Sequence, residues 1–325
     1  MSSSPYLDML DELFRNGLTG ASDGFVDFQA RFVAGCQQAD GGFSGRQGGS
    51  DLYYTDFALR CLALLAPGHA ALERAKSYIE RQTRTPRSIV EIFSLLNAHR
   101  MLRRRLIHDV RGVAPKEMLK DAQGIDRIDR AIDLPILKDQ LHNYILPKGG
   151  FARFDGDRRV SAYHTFLGDL CFQMLGEDLP AVDDAVRAIE ALKRPDGGYA
   201  ELDGQAASQT GATAAAVAFL MMHDAVSPDQ TADTIGFLAN MQSADGGLKP
   251  HDAVENGDLL STFTGLVTMA ALDGLNCFDA ARIAGFLRTT AHPGGGFIAC
   301  AGDDSPDVEY TYYGLGALAI LHPLK

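Results

Sequence analysis

Gly246-Gly-Leu248 followed by Asp258-Leu-Leu-Ser-Thr262 recurs 49 residues downstream as Gly295-Gly-Phe297 followed by Asp307-Val-Glu-Tyr-Thr311. The same two features stand upstream at Gly197-Gly-Tyr199 with Gln209-Thr-Gly-Ala-Thr213, at Gly149-Gly-Phe151 with Ser161-Ala-Tyr-His-Thr165, and at Gly41-Gly-Phe43 with Asp51-Leu-Tyr-Tyr-Thr55. The glycine pairs are 108, 48, 49 and 49 residues apart, and the threonines 110, 48, 49 and 49. Two independent features on one period define a structural repeat. The first interval is about twice the others, so a unit without a glycine pair is expected inside it. Its place is near Thr85-Pro-Arg-Ser88, where Ser88 heads the apolar stretch Ile89 to Leu96.

Each unit reads as two helices. Before the glycines the pattern is amphipathic: across Thr231 to Gln242, the residues Ile235, Leu238 and Met241 share one face. After the threonine it is apolar on nearly every side, as in Thr213 to Met222 and Thr311 to Leu321, which marks a buried helix. The glycines permit the positive φ of a tight turn between the two. Asp51, Ser161, Asp258 and Asp307 are residue types favoured as helix N-caps. The expectation is an all-α chain, residues 1–325 as one domain. Five visible hairpins and one hidden hairpin, starting from about residue 25, curl into a closed α6/α6 barrel, or toroid. Residues 99 to 147 break the period and read as extra helix and loop between the second and third units. They hold the basic run Arg103-Arg-Arg105, which reads as a solvated helix face.

Composition narrows the function. Thirty Lys and Arg stand against 42 Asp and Glu, a formal net charge of −12. Such a surface repels phosphate backbones, so nucleic acid is not an expected partner. The longest run of small and apolar residues, Gly211 to Met222, is too short to span a bilayer. The opening Met-Ser-Ser-Ser-Pro-Tyr lacks the basic start and apolar core of a secretory signal, which gives a cytoplasmic expectation. Cys36, Cys61, Cys171, Cys277 and Cys300 are scattered without a C-x-x-C pair and read as reduced thiols.

Gly41-Gly-Phe-Ser-Gly-Arg46, followed by Asp51 and Tyr54, says more than the period does. Together with the Gly-Gly-aromatic loop and the Asp-x-x-x-Thr frame, it resembles the prenyltransferase β-subunit and squalene-cyclase repeat superfamily over about Cys36 to Leu321. The last unit, Gly295-Gly-Phe297 to Asp307 and Tyr313, is similar to that family's final repeat. The resemblance implies a central apolar cavity that houses an isoprenoid, a diphosphate gripped by Arg46, and a helical partner subunit. Protein prenyltransferases of this family bind one zinc with an Asp, a Cys two residues later and a His from the final repeat. Asp258 fits the first place, but Leu260 and Tyr310 occupy the others. Zinc needs about three protein ligands, so no metal or other cofactor is expected. The family's cyclases start from Asp-x-Asp-Asp-Thr, whose middle Asp donates a proton. Asp307-Val-Glu-Tyr-Thr311 offers Glu309 at that offset, with Tyr310 where the second Asp would stand. A carboxyl group in an apolar cavity keeps its proton and can act as a general acid.

If the cap residues mark one end of the barrel, the first turns of the inner helices surround its mouth. Tyr53, Tyr54, Tyr163, His164, Gly211, Ala212, Leu260, Ser261, Glu309 and Tyr310 then meet there, offering aromatic faces for an apolar body and polar tips for a head group. The candidate catalytic residues are Glu309, Asp307, Tyr310 and His164. The candidate substrate-binding residues are Arg46, Asp51, Tyr53, Tyr54, Tyr163, Asp258 and Ser261. Helix N-termini gathered at one mouth favour an anion, and Arg46, Lys148, Arg153, Arg158, Arg159, Lys193 and Arg194 lie in or beside the corresponding loops. Structural duties compete with each role. Asp51, Asp258 and Asp307 are first of all caps, each worth about 1 kcal/mol, and Tyr53, Tyr163 and His164 also suit a core. The leading expectation is an isoprenoid-handling transferase or cyclase that takes an apolar substrate or prenyl diphosphate without zinc. The alternatives are a non-catalytic binding or subunit-assembly module, an acid-initiated cyclase using Glu309, and carbohydrate processing by paired carboxylates.

Overall fold

The loop from an outer to an inner helix must reverse the chain inside a packed wall, and three local devices allow it. The first is backbone freedom. Gly41, Gly149, Gly197, Gly246 and Gly295 have φ between +90° and +97°, a region that side-chain-bearing residues rarely enter. A Cβ at Gly41 would overlap the carbonyl of Arg74, and one at Gly149, Gly197 or Gly246 the backbone at Asp184, Asp233 or Arg282. The second device is an anchor: Phe43, Phe151, Tyr199, Leu248 and Phe297 are at most 1% exposed. The third is the threonine. Oγ1 of Thr55, Thr165, Thr213 and Thr262 accepts the backbone N–H of that anchor at 2.9 Å, and Thr311 does so at 3.2 Å. The hydroxyls of Thr55, Thr213, Thr262 and Thr311 donate in turn to the cap carbonyl four residues back, at 2.5–2.7 Å.

A computed structural model describes residues 4–81, 86, 88–110 and 132–322. After α1 (Pro5–Leu18) the described residues form six hairpins. Their outer helices are α2 (Asp23–Gly35), α4 (Ala71–Glu80), α6 (Leu134–His142), α8 (Val182–Glu190), α10 (Pro228–Asn240) and α12 (Ala280–Thr290). Their inner helices are α3 (Leu52–Leu65), α5 (Ile89–Val110), α7 (Ala162–Leu175), α9 (Thr210–Met222), α11 (Leu259–Ala271) and α13 (Val308–Leu321). α3 packs on α5, α5 on α7, α7 on α9, α9 on α11, α11 on α13, and α13 back on α3. The ring is closed. Each outer helix packs on the inner helix of its own hairpin. Neighbouring units are also stitched by main chain: the N–H groups of Ala162, Thr210 and Leu259 donate to the carbonyls of Glu201, Pro250 and Ala299 at 2.8–3.0 Å.

The hidden unit is the α4–α5 hairpin, and Ser88 is its cap: Ser88 Oγ accepts the N–H of Glu91 at 3.1 Å. The stretch 99 to 147, read as inserted helix and loop, divides differently. Its first part continues inner helix α5 to Val110, and its last part contains outer helix α6, which belongs to the third unit. Residues 111–131, with most of the charged stretch, lie outside the described residues.

α1 stands outside the repeat and crosses the end of the ring where the inner helices finish. Its Gly17 lies so close to the main chain of Ala319 that a Cβ would overlap it. Asp8 and Asp11 receive Arg100 at 2.7 and 3.1 Å, and Arg104 pairs with both. Arg104 of the basic run therefore holds α1 in place and is more than a solvated face.

Two substitutions separate the devices. Thr213→Val leaves the buried N–H of Tyr199 without its acceptor and should cost about 1–3 kcal/mol in urea unfolding. Gly197→Ala adds both a strained φ and an overlap with Asp233, and should cost more. A Gly197→Ala variant as stable as the parent contradicts this account of the loop.

Candidate functional site

Because five inner helices, α5 excepted, start from the same clamp, equivalent positions face the same way. The residues two after the caps of α3, α7, α9 and α11 are Tyr53, Tyr163, Gly211 and Leu260, and all four line one central cavity of about 150 Å³. One to two turns deeper the wall is aromatic. Phe57 meets Tyr53, Tyr312 and Tyr313 with ring centroids 5.0–5.6 Å apart, and Phe263 stacks on Tyr313 at 5.1 Å. On α9 the wall is instead Gly211, Ala214 and Ala215. Tyr6, Leu7 and Leu10 of α1 complete the lining. Leu7, Leu10 and Phe14 recur at helical spacing behind the Ser4-Pro5 start, so the periodicity of this wall segment was open to reading.

Below the mouth the cavity holds an ion pair. Arg60 and Asp56, one turn apart on α3, both line the wall and are joined side chain to side chain. Asp56 also accepts Asn97 Nδ2 at 2.7 Å, and Asn97 accepts Arg100 Nε at 2.9 Å. Burial pushes the Asp56 carboxyl up, opposed by Arg60 and Asn97. The Arg60 guanidinium lies over the rings of Phe57, Phe93 and Tyr312 at 4.9–5.3 Å, a cation–π arrangement. Neither Asp56 nor Arg60 belongs to the repeated motifs, so nothing in the period marks them.

The other sequence candidates are placed as follows. Glu309 sits behind the cavity wall, and one of its oxygens accepts the hydroxyls of Tyr53 at 2.6 Å and Tyr313 at 3.1 Å. Burial raises its pKa, against those two hydrogen bonds. A proton passed between Glu309 and a bound ligand would travel through one of the two tyrosines. Arg46 does not reach the cavity. It forms a two-point pair with Asp303 at 2.6 and 3.1 Å, donates Nε to Asp307 at 2.8 Å, and covers the Tyr310 ring. It thus ties the first unit to the last. Tyr54 packs its ring over Gly45, where a Cβ would collide with it, so much of the Gly-Arg motif serves local packing. Asp51, Asp258 and Asp307 cap α3, α11 and α13. Asp258 spends both oxygens on Ser261, at 2.6 and 3.0 Å.

His164 turns away from the cavity wall to Ser161 Oγ at 2.8 Å. Burial, reinforced by Arg153, pushes its pKa down to about 4. Glu201, which no motif flagged, hydrogen-bonds Ser161 Oγ and sits below the N–H of Tyr163; burial raises its pKa. The serine lies between histidine and glutamate, so Glu201 does not orient His164, and this is not a nucleophile triad. Most loop cations have internal partners: Arg153 and Arg159 share Asp157, Lys193 pairs with Asp233, and Arg194 donates to the carbonyls of Gln205 and Ala191. Among the described residues no group of three or more His, Cys, Asp or Glu is placed to hold a metal ion, and no helix is long and apolar enough to cross a membrane.

A family model for the prenyltransferase alpha-alpha toroid domain matches residues 21–80 and 171–325. No curated protein matches the chain by sequence. Among solved structures, Candida albicans protein geranylgeranyltransferase-I complexed with GGPP superposes with a TM-score of 0.66 at 13% identity, covering 91% of each chain. The type II terpene cyclase MstE from Scytonema superposes at 0.56 and 12% identity, covering 95% of this chain and 98% of that one. Its R337A variant with geranylgeranyl dihydroxybenzoate gives 0.59 at 12%, with 99% of each chain covered. At these identities the likeness is one of fold.

Two outcomes follow from the geometry. Arg46→Gln removes the tie between first and last units, leaves Asp307 buried without its cation, and should cost about 1–2 kcal/mol in urea while leaving ligand uptake by the cavity unchanged. His164 has a folded pKa near 4, below the ordinary 6.5 or so of an unfolded chain. The unfolded state therefore takes up the proton first, and stability falls as pH drops from about 6.5 to 4. His164→Gln should lose less stability than the parent across that window, and a parallel fall in both proteins would contradict it.

Proposed function

The chain belongs to the prenyltransferase alpha-alpha toroid family, and from that membership we propose an isoprenoid-handling protein that takes the apolar body of a neutral ligand into its central cavity without a zinc-thiolate centre. The cavity wall carries this reading. Tyr53, Phe57, Phe93, Tyr163, Phe166, Phe263, Tyr312 and Tyr313 present ring surface to one space, and an alkyl or prenyl chain gains about 0.8 kcal/mol for each CH₂ it buries there.

The rim favours entry of a neutral ligand over a diphosphate. Arg46 is committed to Asp303 and Asp307, and Asp51, Asp258 and Glu309 stand close by the mouth with pKa values raised by burial. A multiply charged head would enter among carboxylates rather than cations. The zinc-free reading is supported by donor chemistry: Leu260 offers hydrocarbon, Tyr310 lies under Arg46, and Asp258 is occupied by Ser261. Acid-initiated cyclisation has less support, because Phe57, Phe93 and Tyr312, the rings that would face a carbocation, already hold the Arg60 cation. A binding module without chemistry is the second reading. It is favoured by the engagement of Arg46 and Asp307 with each other, and turnover of a bound ligand would distinguish the two.

Native mass spectrometry after incubation with geranylgeraniol should give a one-to-one complex that resists EDTA. Nothing lies within 4 Å of a Cβ built at Gly211, so Gly211→Phe should fold normally, fill the cavity and weaken that complex at least tenfold. Full uptake by Gly211→Phe, or stoichiometric zinc in the purified protein, would overturn the reading.

A further inference from the structure

Arg60 is a charged side chain set into an apolar wall, and its partners do not use it up. A guanidinium has five N–H donors. Among the described residues Arg60 hydrogen-bonds only to Asp56, through Nη2. Nε is buried without a partner, and Nη1 makes no hydrogen bond although Arg60 lines the cavity. Its charge, by contrast, is balanced. Among the described residues the connected group of Arg60, Arg100 and Arg104 faces Asp8, Asp11 and Asp56, three cations against three carboxylates. What the site lacks is an acceptor atom, not a counter-ion. Buried donors left unpaired are costly, and a neutral acceptor satisfies them without upsetting the balance.

Position adds direction. Arg60 lies seven residues beyond Tyr53 on α3, about 10 Å below the mouth at 1.5 Å per residue. In a six-helix ring α9 stands diametrically across from α3, and α9 contributes the Gly211, Ala214 and Ala215 wall. The cavity's free space therefore lies opposite the unpaired donors.

We propose that Arg60 is the head-group anchor of the cavity: the ligand enters oxygen end first, a neutral carbonyl or hydroxyl oxygen accepts from Arg60, and the hydrocarbon body lies along α9 toward the mouth. The proposal rests on the cavity being a site for a neutral apolar chain, and it adds the end at which that chain is recognised.

Three probes of equal length test it: farnesal, the hydrocarbon farnesene and farnesoic acid, each titrated against the full chain by displacement of an environment-sensitive dye. Farnesal should bind at least tenfold tighter than farnesene, since a hydrogen bond to a charged donor is worth about that much, and tighter than farnesoic acid. In Asp56→Asn/Arg60→Met, which removes both charges together, the farnesal-to-farnesene ratio should fall to near one while farnesene binding persists. Arg60→Lys keeps the charge pair and should retain the fold if the double variant does not; its ratio should drop at least threefold. Ala215→Leu should weaken all three probes alike. Equal binding of farnesal and farnesene by the parent, an unchanged ratio in the Arg60 variants, or a preference for the acid would overturn the anchor alone. Failure of every probe to bind would overturn the cavity reading beneath it as well.

Discussion

One hydroxyl holds each visible repeat together. A chain that turns between two packed helices must bury an anchoring side chain, and with it a backbone N–H that has lost water. The threonine one turn into the inner helix accepts that N–H and donates to the cap carbonyl, as at Thr55, Thr213, Thr262 and Thr311. Serine would lack the methyl, and valine the acceptor. Because the clamp joins loop to helix at a fixed register, it also sets which way each inner helix faces. The convergence of Tyr53, Tyr163, Gly211 and Leu260 on one space is a consequence.

Much of this was legible in the sequence, since it is local and recurs. The glycine pair, the anchor, the cap and the threonine all lie within a span of 17 residues, and the hidden unit could be placed from the doubled interval and from Ser88 at the head of an apolar stretch. The all-α toroid follows from that repetition. Contacts across the seam were not legible. Tyr53 meets Glu309 and Arg46 meets Asp307 across some 250 residues or more, and no pattern pairs them. Arg46 shows the hazard most plainly: its motif pointed to a ligand, but two carboxylates from the last unit hold it. Position relative to the cap decided the rest. Tyr53, Tyr163, Gly211 and Leu260, two beyond their caps, face the cavity, whereas Glu309 at the same offset is held behind Tyr53 and Tyr313, and Tyr54, His164, Ser261 and Tyr310, three beyond, do not line it.

Charge in this molecule is arranged in depth. The rim collects caps and carboxylates, held by backbone N–H groups and by Arg46; the ring-lined wall carries the Asp56–Arg60 pair; and beyond it Arg100 joins that pair to Asp8 and Asp11 of α1. An apolar body with one acceptor matches this ordering better than a ligand carrying several negative charges. The aromatic rings of Phe57, Phe93 and Tyr312 are already covered by the Arg60 guanidinium.

The seat of α1 against Ala319 has a consequence for biosynthesis. Ribosomes deliver Gly17 and Ala319 some 300 residues apart. Until residues 308–321 emerge, the nascent polypeptide carries an incomplete horseshoe with greasy surfaces at both lips. The α12–α13 hairpin, whose inner helix packs on both α1 and α3, therefore acts as the keystone of the ring.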